Sequence, residues 1–444
     1  MKPMQKSLPN RNSILRGLDS DIKVKPWLIA AFFGSTLLVS GVVLLTLSFV
    51  GSDLKDSILR SVGDLSLSST ILIGLLLIIL GSLLASVGFR KANISSITAG
   101  SLHARVKGPR IVAIGGGTGM AALLSGLKQY SDQITAIITV ADDGGSSGRL
   151  RRELGIPPPG DFRKCIAALA DDQEYITKLL QYRFGQHNHG SDPETREISG
   201  HSFGNLLIAA MAGISGSFED ALEQANQLLA ISGRVLPSTL ADVTLIAEVQ
   251  KTDINNQKSE QVGKPSQDSK VQLVSGESAI PKSDGTINRV LLEPQSPPVY
   301  PEAARAVLAS DLVLIGPGSV YTSLLPNLLV PGLHKALAAI SSPVVYVCNV
   351  ATQPGETDGY SALDHLAALE RHIGSSIIDI LLVNNQFPEL GTDQNTVYVE
   401  LDSFSHKKVI ECDLVDANIP WRHDPDKLAR KVIDIYSHHK EKES

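Results

Sequence analysis

The chain has 444 residues, of which 43% are hydrophobic and 19% charged, and a formal net charge of −6. That balance argues against a nucleic-acid partner, which would call for a positive surplus to neutralise phosphates. The cysteines, Cys165, Cys348 and Cys412, are far apart and form no CxxC pair. They argue against a zinc site or a disulfide framework and fit buried thiols in a reducing compartment.

Residues 1–26 read as a cytoplasmic tail. Two apolar runs follow, Trp27–Val50 and Leu65–Phe89, and neither carries a charge. At about 1.5 Å per residue each is long enough for a hydrocarbon core of about 30 Å. Gly51–Asp64 between them is too short for a domain, so the sequence predicts a transmembrane hairpin over 27–89, in contact with membrane lipid. Lys2, Lys6, Arg11, Arg16, Lys23 and Lys25 precede it, and Arg90, Lys91, Arg105, Lys107 and Arg110 follow it. The loop holds only Lys55 and Arg60. This bias places a multi-pass protein in the inner (plasma) membrane, with both termini and the main domain in the cytoplasm. No polar path crosses the spans, so the hairpin reads as an anchor. Residues 90–109 read as a linker.

From 110 to 444 the order of elements is α/β. PRIVAIGGGTGMAALLSGLKQY predicts a strand at Ile111–Ile114, a glycine turn and a helix over Thr118–Tyr130. Ile134–Val140 is a second strand, with the continuous apolar run that a buried parallel strand requires. A helical region spans about Asp161 to Phe184, then comes a polar loop, Gly185–Ser199, with His187 and His189. Helices begin at HSFGNLL and SFEDALEQ, and strands lie within Thr239–Val249. Residues 251–270 are polar, without an aromatic residue, and read as a low-complexity insertion. Sheet structure resumes at VQLVSGES. Asp311–Ile315, Pro343–Cys348 and Ile377–Val383 are strands feeding GPGS, NVATQPGET and NNQ, and a final helix ends in a charged tail. The predicted fold class is α/β, a Rossmann-like open and mostly parallel sheet flanked by helices and preceded by the two-helix hairpin. Ligands in such sheets bind outside the carboxyl ends of the strands.

The motifs fall at those ends. Gly115, Gly116, Gly117, Thr118 and Gly119 stand between a strand and a helix, where a glycine turn exposes amides that hold phosphate. The run is neither a Walker A loop nor a full GxGxxG. Asp142 and Asp143 leave the second strand, suited to ribose or base donors or to a divalent ion. Gly144–Gly148, with Ser146 and Ser147, reads as a flexible loop rich in donors, with Arg149 and Arg151 placed for phosphate. In PPPGDFRK, Asp161 suits a cap for its own helix, and Arg163 and Lys164 add positive potential. Asn205 in HSFGN suits a base or sugar edge. Gly316, Gly318, Ser319, Thr322 and Ser323 suit a second phosphate or sugar. Asn349 and Thr352 close the next strand, with Gly355, Glu356 and Thr357 beyond, and Asn384 closes the last. Two anion loops on one rim suit a diphosphate-bridged ligand. No nucleophile has a paired base and no metal cluster has sensible spacing, so the pattern favours binding over catalysis.

In order, GGGTG, TVADDGGSSGRLR, PPGDFR, FGNLL, SDLVLIGPGSVYTS and YVCNVATQPGET, followed by Asp364–His365, resemble the gluconeogenesis factor family. That family is the YvcK-like bacterial branch of the 2-phospho-L-lactate transferase (CofD-like) superfamily. The resemblance spans about Arg110 to His439. It implies a Rossmann-like domain that binds UDP-sugars such as UDP-N-acetylglucosamine, requires no cofactor, and acts as a regulator rather than an enzyme. It further implies a role in cell shape and in growth on gluconeogenic carbon sources, through control of cell-wall precursor synthesis, with a cell-wall precursor enzyme as partner. By resemblance Gly116, Gly117, Thr118 and Gly119 face the diphosphate, and Asp142, Asp143, Ser146, Ser147 and Arg149 lie on the ligand. Asn205, Gly316, Gly318, Ser319 and Asn349 complete the pocket. The transferase branch instead moves a phospholactyl group from a guanosine diphosphate derivative to a deazaflavin, with a divalent metal, Mg²⁺. Here GGSSGRLR follows the Asp pair in place of that branch's loop. The hairpin and the 251–270 insertion depart from the family's minimal form. The sequence leaves a homo-oligomer open.

Overall fold

The computed structural model describes residues 108–185, 198–251, 271–389, 396–401 and 408–443, with short helical stretches at 35–37, 39–40, 42–43, 71–73 and 75–82. The chain divides into two units, Met1–Ala104 and Arg105–Ser444. The membrane expectation does not hold. Among the described residues no helix is long and apolar enough to cross a membrane, which removes the support for a multi-pass membrane protein. The tail 1–26, the segment 90–107 and most of both apolar runs lie outside the described residues, as do 186–197 with His187 and His189, and 252–270.

The second unit is built on a seven-stranded sheet. Its strands are β1 (Ile111–Gly115), β2 (Ile134–Ile138), β3 (Arg234–Pro237), β7 (Leu312–Ile315), β8 (Val344–Val347), β9 (Ile380–Asn384) and β10 (Lys408–Cys412). The spatial order is β10-β9-β8-β7-β1-β2-β3. All six neighbouring pairs run parallel. Strands β1, β2, β7, β8 and β9 are buried along their whole length, which is why their sequences are unbroken apolar runs rather than alternating ones. From β1 the chain steps outward through β2 to β3. From β7 it steps the opposite way to β10. Right-handed crossovers in opposite directions put helices on opposite faces.

The helices are α1 (Gly117–Leu127), α2 (Gly145–Leu154), α3 (Pro159–Leu169), α4 (Gln173–Gln181), α5 (Phe203–Ser215) and α6 (Phe218–Leu228). After the small sheet come α7 (Pro301–Leu308), α8 (Leu325–Leu328), α9 (Pro331–Ala339), α10 (Ala362–Ile373) and α11 (Pro425–Glu443). Helix α11 docks on α1 because Gly126 lacks a side chain: a Cβ there would lie 2.1 Å from the Pro425 carbonyl oxygen.

Between β3 and β7 the chain inserts an antiparallel sheet, β5 (Val271–Ser275), β4 (Thr244–Gln250) and β6 (Thr286–Glu293), in the order β5-β4-β6. Alternating burial along β4 and β6 shows that one face packs inward.

Several boundaries differ from the sequence reading. The helix expected over Asp161–Phe184 is two helices. Ala170 leaves the helical region and pairs with Ile231, its carbonyl accepts from Lys128 Nζ at 2.7 Å, and Asp172 restarts the helix by capping the Tyr175 amide. Tertiary bonds thus override local helix propensity. Strands β3, β6 and β10 carried no clear strand signal. β3 is short and ends in proline, and β10 is a charged edge strand.

Candidate site at the carboxyl ends of β1 and β7

Strands β1 and β7 are neighbours, with Ile114 opposite Ile315. The strand order reverses between them, so the loops leaving their carboxyl ends diverge and open a crevice. After β1, Gly117 adopts φ +74, a conformation that glycine takes without steric penalty. Nothing lies within 4 Å of where its Cβ would stand. Thr118 is exposed just beyond it, and Gly115 and Gly116 are buried beneath. A Cβ on Gly119 would sit 2.9 Å from the Pro317 carbonyl oxygen, so its absence lets the two loops abut. On the β7 side Gly316 has φ +79. The Asn349 side chain clamps Gly318 from both sides: Gly318 N–H donates to Oδ1 at 3.1 Å, and Nδ2 donates to the Gly318 carbonyl at 3.0 Å. The Gly318 amide is thereby occupied.

The crevice is rimmed by carboxylates. Asp161, in the first turn of α3, accepts the Gly117 amide at 2.8 Å and pairs with Lys164 Nζ at 2.9 Å. It therefore caps α1 rather than its own helix, placing a negative charge at the positive end of the α1 dipole. Asp142 Oδ1 accepts from the Gly144 amide at 2.9 Å, and Asp143 Oδ1 from the Ser278 amide at 2.9 Å. Burial, then neighbouring Asp161, holds the Asp142 carboxyl above its ordinary range. Glu277 is pushed to about 8, first by burial and then by Asp142, Asp143, Glu356 and Asp161. Glu356 accepts from Ser319 Oγ and from Thr322 Oγ1, and burial raises it. No group of three His, Cys, Asp or Glu able to hold a metal ion occurs among the described residues. The carboxylates that would hold a divalent ion are instead spread over separate hydrogen bonds.

Of the segment expected to be a flexible loop, Gly144–Gly148, Gly144 caps α2 and the rest is its first turn. Its side chains face protein. Ser146 Oγ lies 2.8 Å from His201 Nδ1 and accepts from Asn205 Nδ2 at 3.0 Å. Ser146 and His201 are 9% and 3% exposed, so this pair ties α2 to the start of α5 instead of presenting a nucleophile. The Asn205 Oδ1 atom is buried without a partner. Ser147 is buried against Gly160. Arg149 donates to the Ser199 carbonyl at 2.8 Å. Arg151 binds Asp242 and the carbonyls of Val140, Asp142 and Val243. Gly115–Gly119, Asp142, Asp143, Gly316, Gly318, Ser319 and Asn349 thus gather at the switch point, whereas Ser146, Ser147, Arg149 and Asn205 brace the element beside it.

A cavity of about 490 Å³ opens off the crevice, lined by Thr118, Gly119, Gly318, Asn349 and Thr352 and by the segment before α11 with Trp421 and Arg422. Sequence reasoning missed that segment, Glu277 and the reach of Asp161. No glycine motif marks them, and they meet the crevice only through the fold.

A parallel sheet reversing between β1 and β7, with glycine loops abutting at the reversal, defines a Rossmann-type α/β protein with its ligand crevice at the switch point. The family model for the 2-phospho-L-lactate transferase CofD matches residues 111–420. A "Putative gluconeogenesis factor" of Nostoc sp. is 38% identical, over 96% of this chain and 94% of its own. The "Gluconeogenesis factor" of Bacillus subtilis is 46% identical, over 63% of this chain and 79% of its own. A crystal structure of a UPF0052-family protein from Bacillus halodurans matches with a TM-score of 0.64 and 38% identity, covering 74% of this chain and 99% of that one. The chain belongs to the gluconeogenesis factor branch of the CofD family.

Proposed function

We propose that the crevice binds a UDP-sugar, UDP-N-acetylglucosamine, and that the protein is a ligand-binding regulator rather than an enzyme. The observation that carries this reading is the open space above Gly117, where two glycine loops meet at the switch point. A diphosphate entering there takes the Gly117 amide in place of Asp161, and Lys164 remains beside it as a cation. Thr352, Trp421 and Arg422 supply hydroxyl, ring and guanidinium to the adjoining cavity, which suits a uracil-ribose or a hexose. The family resemblance supports the role: control of cell-wall precursor synthesis through a partner enzyme, with effects on cell shape and on growth on gluconeogenic carbon sources.

The carboxylate rim favours one second reading. Asp142 and Asp143 would suit a divalent cation carried in by a nucleoside diphosphate donor, as in a transferase acting on a deazaflavin. The two readings separate in one experiment. Binding of UDP-N-acetylglucosamine is measured against GTP and a deazaflavin, each with and without Mg²⁺. Tight, metal-independent binding of the UDP-sugar without turnover supports the regulator, whereas consumption of a guanosine diphosphate donor overturns it. Gly117→Val should abolish UDP-sugar binding, because its side chain would fill the open space and strain a positive φ. Retained affinity would show that the diphosphate lies elsewhere.

A further inference from the structure

Next to the crevice cavity along α1 lies a second cavity, of about 400 Å³. It is lined by Arg163, Lys164, Gln173, Thr177, Gln181 and Arg183, and Thr118 and Ala122 of α1 touch both cavities. Arg163 is 5% exposed. Its stem is wedged against Gly204, its Nη1 donates to the Leu180 carbonyl at 3.3 Å, and its Nε is buried without a partner. Arg183 donates to the Gly200 carbonyl at 2.8 Å and is close enough to Arg163 to depress it electrostatically, second only to burial. Among the described residues neither guanidinium pairs with a carboxylate, since Asp161 is engaged by Lys164. A nearly buried guanidinium beside a second one is costly, and among the described residues Asp161 only partly offsets it. Removing either charge from the chain would be the simpler solution, unless an anion completes the site.

We propose that this cavity is a binding site for a small phosphomonoester, separate from the crevice ligand. A phosphomonoester carries about −1.5 to −2 charges at neutral pH, which suits two neighbouring guanidiniums. Its oxygens accept paired N–H donors from planar forks, as guanidinium geometry favours. The Thr177 hydroxyl and the Gln173 and Gln181 amides offer neutral donors to the ester's organic part. A cavity of this size holds a small metabolite.

The test uses the full chain and two probes, glycerol 3-phosphate and inorganic phosphate, followed by titration calorimetry. Glycerol 3-phosphate should bind saturably at one site, with inorganic phosphate competing. Arg163→Gln and Arg183→Gln should each weaken it about tenfold or more. Arg183 is only partly buried, so its variant keeps the test decisive if Arg163→Gln fails to fold. Saturating UDP-N-acetylglucosamine should leave the site available. Lack of saturable binding, or undiminished binding in Arg183→Gln, overturns the proposal. So does loss of binding when the UDP-sugar is present, which would make the anion part of the crevice ligand. The phosphate measurements stand whether or not the crevice takes a UDP-sugar.

Discussion

Glu277 shows how a residue without a motif governs a site. It lies in the turn between β5 and a short 3-10 turn at Ile280–Lys282, beside Ser278, whose amide is bound by Asp143 across 135 positions of sequence. Facing Asp142, Asp143, Asp161 and Glu356, it keeps its proton to about pH 8. Above that pH the crevice gains a further negative charge. UDP-sugar affinity should therefore fall about fivefold between pH 7 and pH 9, and Glu277→Gln should abolish the dependence. A pH profile that is equally steep in the variant would place the controlling group elsewhere. The same residue has a stability consequence. Its folded-state value is raised from 4.5 to about 8, so the folded chain holds the proton more tightly, and its contribution falls as pH rises through that window. Asp161 was legible as an acidic residue near a helix start, but not as the cap of α1, because that contact spans 44 positions.

At the scale of elements, glycine often marks close packing rather than flexibility. GGSSG looked like a loop because glycine and serine are poor helix formers. It is helical because Ser146 is held by His201 and Asn205, and Arg151 by Asp242 and several carbonyls. Gly126 serves in the same way, as the seat of α11 on α1. Gly126→Val should separate the two helices and destabilise the second unit by about 2–4 kcal/mol, read as a lower denaturant midpoint. Since α11 follows the segment carrying Trp421 and Arg422, UDP-sugar affinity should fall as well. A variant with unchanged midpoint would show that α11 is not held at Gly126.

For the molecule as a whole, the chain past β10 is tied to the sheet by His423. Its Nε2 lies 3.1 Å from the Cys348 carbonyl at the exit of β8. Burial lowers it from 6.5 to about 4, so the folded protein keeps the ring neutral. The unfolded chain takes up that proton below about pH 6.5. Stability should therefore drop as pH falls from 6.5 towards 4, by roughly 3 kcal/mol from this residue, with no contribution above that window. Denaturant titrations of wild type and His423→Gln across that range would check it. The variant should lose the acid-side slope, and a slope that persists would assign it to other groups.

What the sequence determined by itself was local. Unbroken β-branched runs with glycine exits revealed the buried parallel strands and the loops at their carboxyl ends, because burial on both faces and turn geometry are written in neighbouring residues. An apolar run could be read equally locally, and there the expected membrane span found no support, since among the described residues no helix is long and apolar enough to cross a membrane. The tertiary structure alone decided which loops meet. The reversal between β1 and β7 brings Gly119 against Pro317, and the packing of α3 sets Asp161 on the α1 terminus and Arg163 beside Arg183. Those juxtapositions depend on strand order, and no local pattern in a chain encodes which distant strands become neighbours.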